Sequence, residues 1–80
     1  MHYFLYALRP DGSQGLGSDF GAVRSDLRTD RGALKWARAW LRSRASLAPN
    51  IVAVAPTRAV LNCYGERYYG EPLRTYTVTL

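Results

Sequence analysis

Thr29-Asp30-Arg31-Gly32-Ala33-Leu34-Lys35-Trp36-Ala37-Arg38-Ala39-Trp40-Leu41-Arg42-Ser43-Arg44-Ala45-Ser46 is the stretch that decides the fold. Its run of Ala, Leu and Arg favours helix, and Asp30 is placed to cap the N-terminus. Pro49 is expected to stop it, because a proline disfavours helical geometry in the residue before it. The helix therefore spans Arg31 to about Ser46, roughly four and a half turns. At about 100° per residue, Ala33, Leu34, Ala37, Trp40 and Leu41 form one core-facing stripe. Arg31, Lys35, Arg38 and Arg42 form a second stripe, within roughly 60° of one another on the wheel. Trp36 belongs cleanly to neither and reads as a core-edge residue.

The segments around this helix read as strands. Residues 2–8 are apolar or aromatic apart from His2, with Tyr3, Phe4 and Tyr6, and end at the turn signal Arg9-Pro10-Asp11-Gly12. Residues 10–18 form a loop. Residues 19–27 fit a short strand pairing back on 2–8 and equally a helical turn, since Gly21 weakens both. The strand is the preferred reading. After Pro49, Ile51-Val52-Ala53-Val54-Ala55 and Arg58-Ala59-Val60-Leu61-Asn62-Cys63-Tyr64 are two strand-like runs. Residues 65–72, with two glycines and a proline, read as a loop or hairpin tip. Leu73-Arg74-Thr75-Tyr76-Thr77-Val78-Thr79-Leu80 alternates, placing Tyr76, Val78 and Leu80 on one face and three threonines on the other. The expectation is an α+β domain spanning residues 1–80, with one amphipathic helix packed on a small antiparallel sheet in the order β-β-α-β-β-β.

Charge is unevenly distributed. Eleven Lys and Arg face six Asp and Glu, a net charge of +5, and ten of the eleven cations are arginine. From Arg31 to Gly65 there are six cations (31, 35, 38, 42, 44 and 58) and no acidic residue. A merely solvated helix face usually mixes signs, because acid–base pairs four apart support the helix and like pairs oppose it. The stripe thus reads as an anion-binding face, for an acidic protein surface or nucleic acid. A GC-rich genome, which writes arginine by default, would produce a similar solvated stripe without a ligand. Arg67, Tyr68 and Tyr69, near the expected hairpin tip, extend the candidate binding surface, since tyrosines there could stack on bases or anchor a protein interface as well as pack across strands.

Catalytic and cofactor signatures are missing. His2, placed in what reads as mobile first residues, is the single histidine and Cys63 the single cysteine. One cysteine and one histidine do not provide the roughly four ligands of a zinc site, and a Cys–His dyad would need the two to meet across the fold. Cys63 reads instead as a small buried residue with no disulfide partner, which suits a cytoplasmic, reducing setting. Gly12 to Gly17 lacks the Gly-Lys-Ser/Thr ending of a phosphate loop. No catalytic, cofactor or metal residue is expected. The first nine residues carry neither a signal-peptide pattern nor a membrane span. Homodimerisation through a sheet edge at 73–80 stays open.

With an aromatic N-terminal strand (Met1-His2-Tyr3-Phe4-Leu5-Tyr6), one helix (Ala33 to Ala45) and a C-terminal meander ending in Thr75-Tyr76-Thr77-Val78-Thr79-Leu80, the chain resembles the small anti-CRISPR proteins of phages and mobile elements. Those directed at type I (Cascade) effector complexes are nearest. The likeness spans the chain and rests on size and element order; that family has no shared signature, so it transfers no functional residue. It implies a non-enzymatic inhibitor that binds an effector subunit and blocks target DNA binding or nuclease recruitment. Many such inhibitors are acidic DNA mimics. A basic chain does not fit that role and would instead grip acidic patches of a subunit or sit beside the nucleic acid. The alternative is a small basic nucleic-acid-binding module, such as a phage regulator.

Overall fold

The computed structural model describes residues 1–9, 11–14, 21–51, 56–66 and 70–80, and for 45–51 the backbone. Strand β1 (His2–Ala7) leads through β2 (Gly21–Arg24) to the helix α1 (Asp30–Ile51), followed by β3 (Arg58–Tyr64) and β4 (Arg74–Thr79). The strands form one antiparallel sheet in the order β2-β1-β3-β4. The architecture is α+β, as the sequence periodicities imply. Residues 19–27 do contain a strand, four residues long, which pairs Tyr3 with Arg24 and Tyr6 with Gly21.

Alternation along the central strands sorts the two faces. On β1, Tyr3, Leu5 and Ala7 are buried while His2, Phe4 and Tyr6 are half-buried; on β3, Ala59, Leu61 and Cys63 are buried. The register aligns the buried sets, Tyr3 with Cys63, Leu5 with Leu61 and Ala7 with Ala59. Side chains at spacing two share a face, and five of these six, all but Ala7, join Ala33, Ala37 and Leu41 of the helix in one core cluster. On β4, Val78 is buried and Tyr76 half-buried on that same face, while Thr75, Thr77 and Thr79 are exposed on the other. Leu80, expected beside them, lies beyond the strand and is 56% exposed.

The helix meets the sheet along Ala33, Ala37 and Leu41, all fully buried. Two alanines on the contact line let the helix backbone approach the sheet closely. Larger residues seal the flanks. Trp36 and Trp40 are half-buried on one side, with the Arg24 guanidinium 5.5 Å from the Trp36 ring and that of Arg44 5.4 Å from Trp40. Leu34 and Tyr76 close the other side. Trp36 is thus a core-edge residue, as its wheel position implies.

Two helix boundaries differ from expectation. Thr29, not Asp30, is the N-cap: its hydroxyl accepts from the Gly32 N–H at 3.1 Å and its carbonyl from Ala33 at 3.0 Å. Asp30 begins the helix, and its side chain is free to turn toward the sheet. At the other end α1 continues past Ser46 and through Pro49 to Ile51. Proline's fixed φ is itself helical, so the backbone runs on through it, although Pro49 has no N–H to bond back to the Ala45 carbonyl and a proline ring crowds the carbonyl four residues before it. The run expected as a strand over 51–55 therefore starts inside the helix, and 52–55 lie outside the described residues. The described residues contain four strands. After β1 the chain turns at Gly12, whose φ of +88° suits glycine, with Asp11 accepting from both the Ser13 N–H and hydroxyl.

Replacing Thr29 with Ala should lower the unfolding free energy by about 1 kcal/mol, the usual worth of an N-cap hydroxyl. Urea denaturation followed by circular dichroism measures this. An unchanged midpoint would return the capping role to Asp30.

Candidate functional site

Helical periodicity puts Arg31, Lys35, Arg38 and Arg42 on one flank of α1, and all four are exposed. At 1.5 Å per residue the ridge runs about 16 Å along the helix. Among the described residues none of the four makes an ion pair. Arg44, which the sequence places in the same acid-free stretch, sits apart, half-buried over Trp40. Arg67, Tyr68 and Tyr69 lie outside the described residues.

Between this ridge and β4 runs a groove of about 680 Å³. Arg31, Lys35 and Arg38 border it, and Leu34 and Tyr76 supply its apolar wall. Thr29, Asp30 and Gly32 close the end at the helix N-terminus. The sequence pattern finds the cations but not the groove, because the groove needs Tyr76 to arrive from a strand 46 positions beyond Asp30.

The carboxylate at that end is fully engaged. Oδ1 of Asp30 accepts from the Tyr3 hydroxyl at 3.0 Å and from Arg74 Nη2 at 3.2 Å. Oδ2 accepts from the Tyr76 hydroxyl at 2.8 Å and from Arg74 Nε. Four donors on two oxygens match the acceptor capacity of a carboxylate. The Arg74 guanidinium, outweighing the opposing effect of burial and aided by both tyrosine hydroxyls, holds the Asp30 carboxyl down at about 2. Burial, and then the bond to Asp30, pushes the Tyr3 phenol up to about 12. The bond to Asp30 also raises Tyr76. The only acid bordering the groove among the described residues is thus paired with Arg74 and offers neither free acceptor nor unbalanced negative charge. Sequence reading missed this cluster, although one signal was present: Arg74 shares a strand face with Tyr76 and Val78, the face that meets the helix.

Elsewhere the structure separates the residues that a catalytic reading would join. Cys63 is buried on the helix side of β3, and burial pushes its thiol up to about 11, so it is a poor nucleophile at neutral pH. His2 stands on the opposite face, paired in register with Tyr64. Nor is it a loose terminal residue. Its Nε2 donates to the Glu66 carbonyl at 3.0 Å, leaving Nδ1 to accept from the Ser25 hydroxyl at 2.6 Å. This ring ties β1 to the turn before α1 and to the segment after β3. Among the described residues no group of three His, Cys, Asp or Glu could hold a metal, and no helix is long and apolar enough to cross a membrane.

No family model, curated protein or solved structure matches the chain.

The Asp30 cluster carries a pH dependence with a definite sign. A carboxyl whose folded value (about 2) lies below its ordinary 3.8 stabilises the fold above pH 4 and loses that contribution as pH falls toward 2. Its side chain is 19% exposed, and the expected loss is about 2 kcal/mol. Asp30→Asn should be less stable at pH 7 and lack this part of the acid limb in denaturant titrations. An acid limb identical to that of the parent would show that the cluster contributes nothing.

Proposed function

We propose that this chain is a non-enzymatic binding protein that docks an acidic surface of a protein partner on the ridge Arg31, Lys35, Arg38 and Arg42. The single observation that carries the reading is four exposed cations on one helix flank with no acid paired to them among the described residues. Like charges at spacing four weaken a helix slightly, so the pattern opposes local stability and fits a surface whose counter-charge comes from outside. Basic ridges of this kind gain chiefly in encounter rate and in discrimination between partners.

The resemblance to type I anti-CRISPR proteins supports one specific partner, a subunit of the Cascade complex met in the cytoplasm. Occupying that subunit would block target DNA binding or nuclease recruitment. The positive sign supports contact with an acidic patch rather than imitation of DNA. Pull-down with the tagged chain from cells expressing a type I effector complex should retain a subunit. The double variant Arg38→Glu/Arg42→Glu, folded by circular dichroism, should lose it. No retained subunit, together with undisturbed DNA interference, would overturn this partner.

The same cations fit the second reading, a small nucleic-acid-binding module. If the ridge neutralises four phosphates of duplex DNA, the log–log salt slope of binding should be roughly −3.6. Gel shifts at two salt concentrations measure it. Binding absent at low salt, or indifferent to the charge reversal, removes this reading.

A further inference from the structure

From the groove beside the ridge we infer a narrower partner: an acidic amphipathic segment of a protein, seating one apolar side chain against Leu34 and Tyr76 while its carboxylates meet Arg31, Lys35 and Arg38. This deepens the proposed docking function and rests on it. A ridge serving only as a field of charge would need no hollow beside it. The hollow has about 680 Å³, within the range of ligand-binding clefts.

Its chemistry is selective. The rim offers guanidinium and ammonium donors, which have no acceptor capacity. The carboxylate at its closed end has all its acceptor positions taken by Tyr3, Tyr76 and Arg74. The Thr29 hydroxyl already accepts from the Gly32 N–H. A nucleobase edge presents donors as well as acceptors, and among the bordering side chains only the remaining lone pairs of the Thr29 and Tyr76 hydroxyls are left to accept them. A phosphodiester backbone is acceptor-only but brings no aliphatic group for the apolar wall. Glutamate and aspartate beside leucine supply both requirements. The spacing agrees as well: rim cations four and three residues apart are matched by carboxylates four and three apart on a partner helix, which lays its apolar row into the groove.

The test compares three fluorescent probes binding the full chain in polarisation assays at physiological salt. One is a sixteen-residue helical peptide with glutamates at spacings of four and three flanking a row of leucines. The second replaces every leucine with serine at equal charge. The third is a sixteen-nucleotide oligothymidylate. The leucine peptide should bind at least about ten-fold tighter than the serine peptide, the least that burying one leucine supplies. Leu34→Gln, folded by circular dichroism, should erase that advantage. Amide shift mapping on the unmodified chain gives the same answer without a variant, with Leu34 and Tyr76 moving for the leucine peptide alone. Equal binding of both peptides would overturn the groove proposal and leave the ridge reading standing. Tightest binding by the oligonucleotide would overturn it in favour of nucleic acid. No binding by any probe would sink both.

Discussion

The Asp30 carboxylate is the point on which the two layers of this small domain turn. Helix α1 crosses the sheet on two alanines and a leucine, a contact line that is close but small in area. A domain of 80 residues has little stability to spare. One side chain in the first turn of the helix reaches β1 through Tyr3 and β4 through both Tyr76 and Arg74. These strands are not adjacent, because β3 lies between them. The carboxylate therefore fixes where the helix N-terminus sits across the sheet. A negative group there also complements the positive end of the helix dipole. Thr29 makes this possible by taking over the capping role.

Placement of the helix in turn sets the functional face. With Ala33, Ala37 and Leu41 facing the sheet, Leu34 falls on the β4 flank, and the cations follow on the solvent side of it. Asp30 and Arg74 neutralise each other at the groove's closed end. Among the described residues the positive charge of the ridge then has no carboxylate paired to it. The same cluster thus supports the fold and clears the docking face. Trp36 and Trp40 occupy the opposite flank, each stacked with an arginine, so that flank presents a different surface.

What could be read from the residues alone follows from what is local. The helix wheel, the apolar and aromatic run at 2–8, the alternation over 73–80 and the turn at Gly12 depend on residues close in sequence, and the structure has a helix, a strand, a strand and a turn there, with Leu80 alone falling outside its expected face. The roles of Asp30 and His2 depend on contacts 27 or more, and 23 or more, positions away, and neither could be read locally. Asp30 looked like a cap because aspartate commonly is one; the threonine before it served instead, and tertiary bonds claimed the carboxylate. Pro49 looked like a stop because proline usually is one, yet its fixed φ is itself helical and the helix ends only two residues beyond it. The ridge was legible as charge. The groove was not, since half of its apolar wall comes from a strand that the helix sequence says nothing about.

The most direct test of the docking account is arginine-specific labelling, read by mass spectrometry, of the free chain and of its complex with a captured partner. Arg31, Arg38 and Arg42 should react in the free chain and be protected in the complex, while Arg58, which alternation places on the far face of the sheet, keeps its reactivity. Protection of Arg58 with the three ridge arginines still fully reactive would contradict the account.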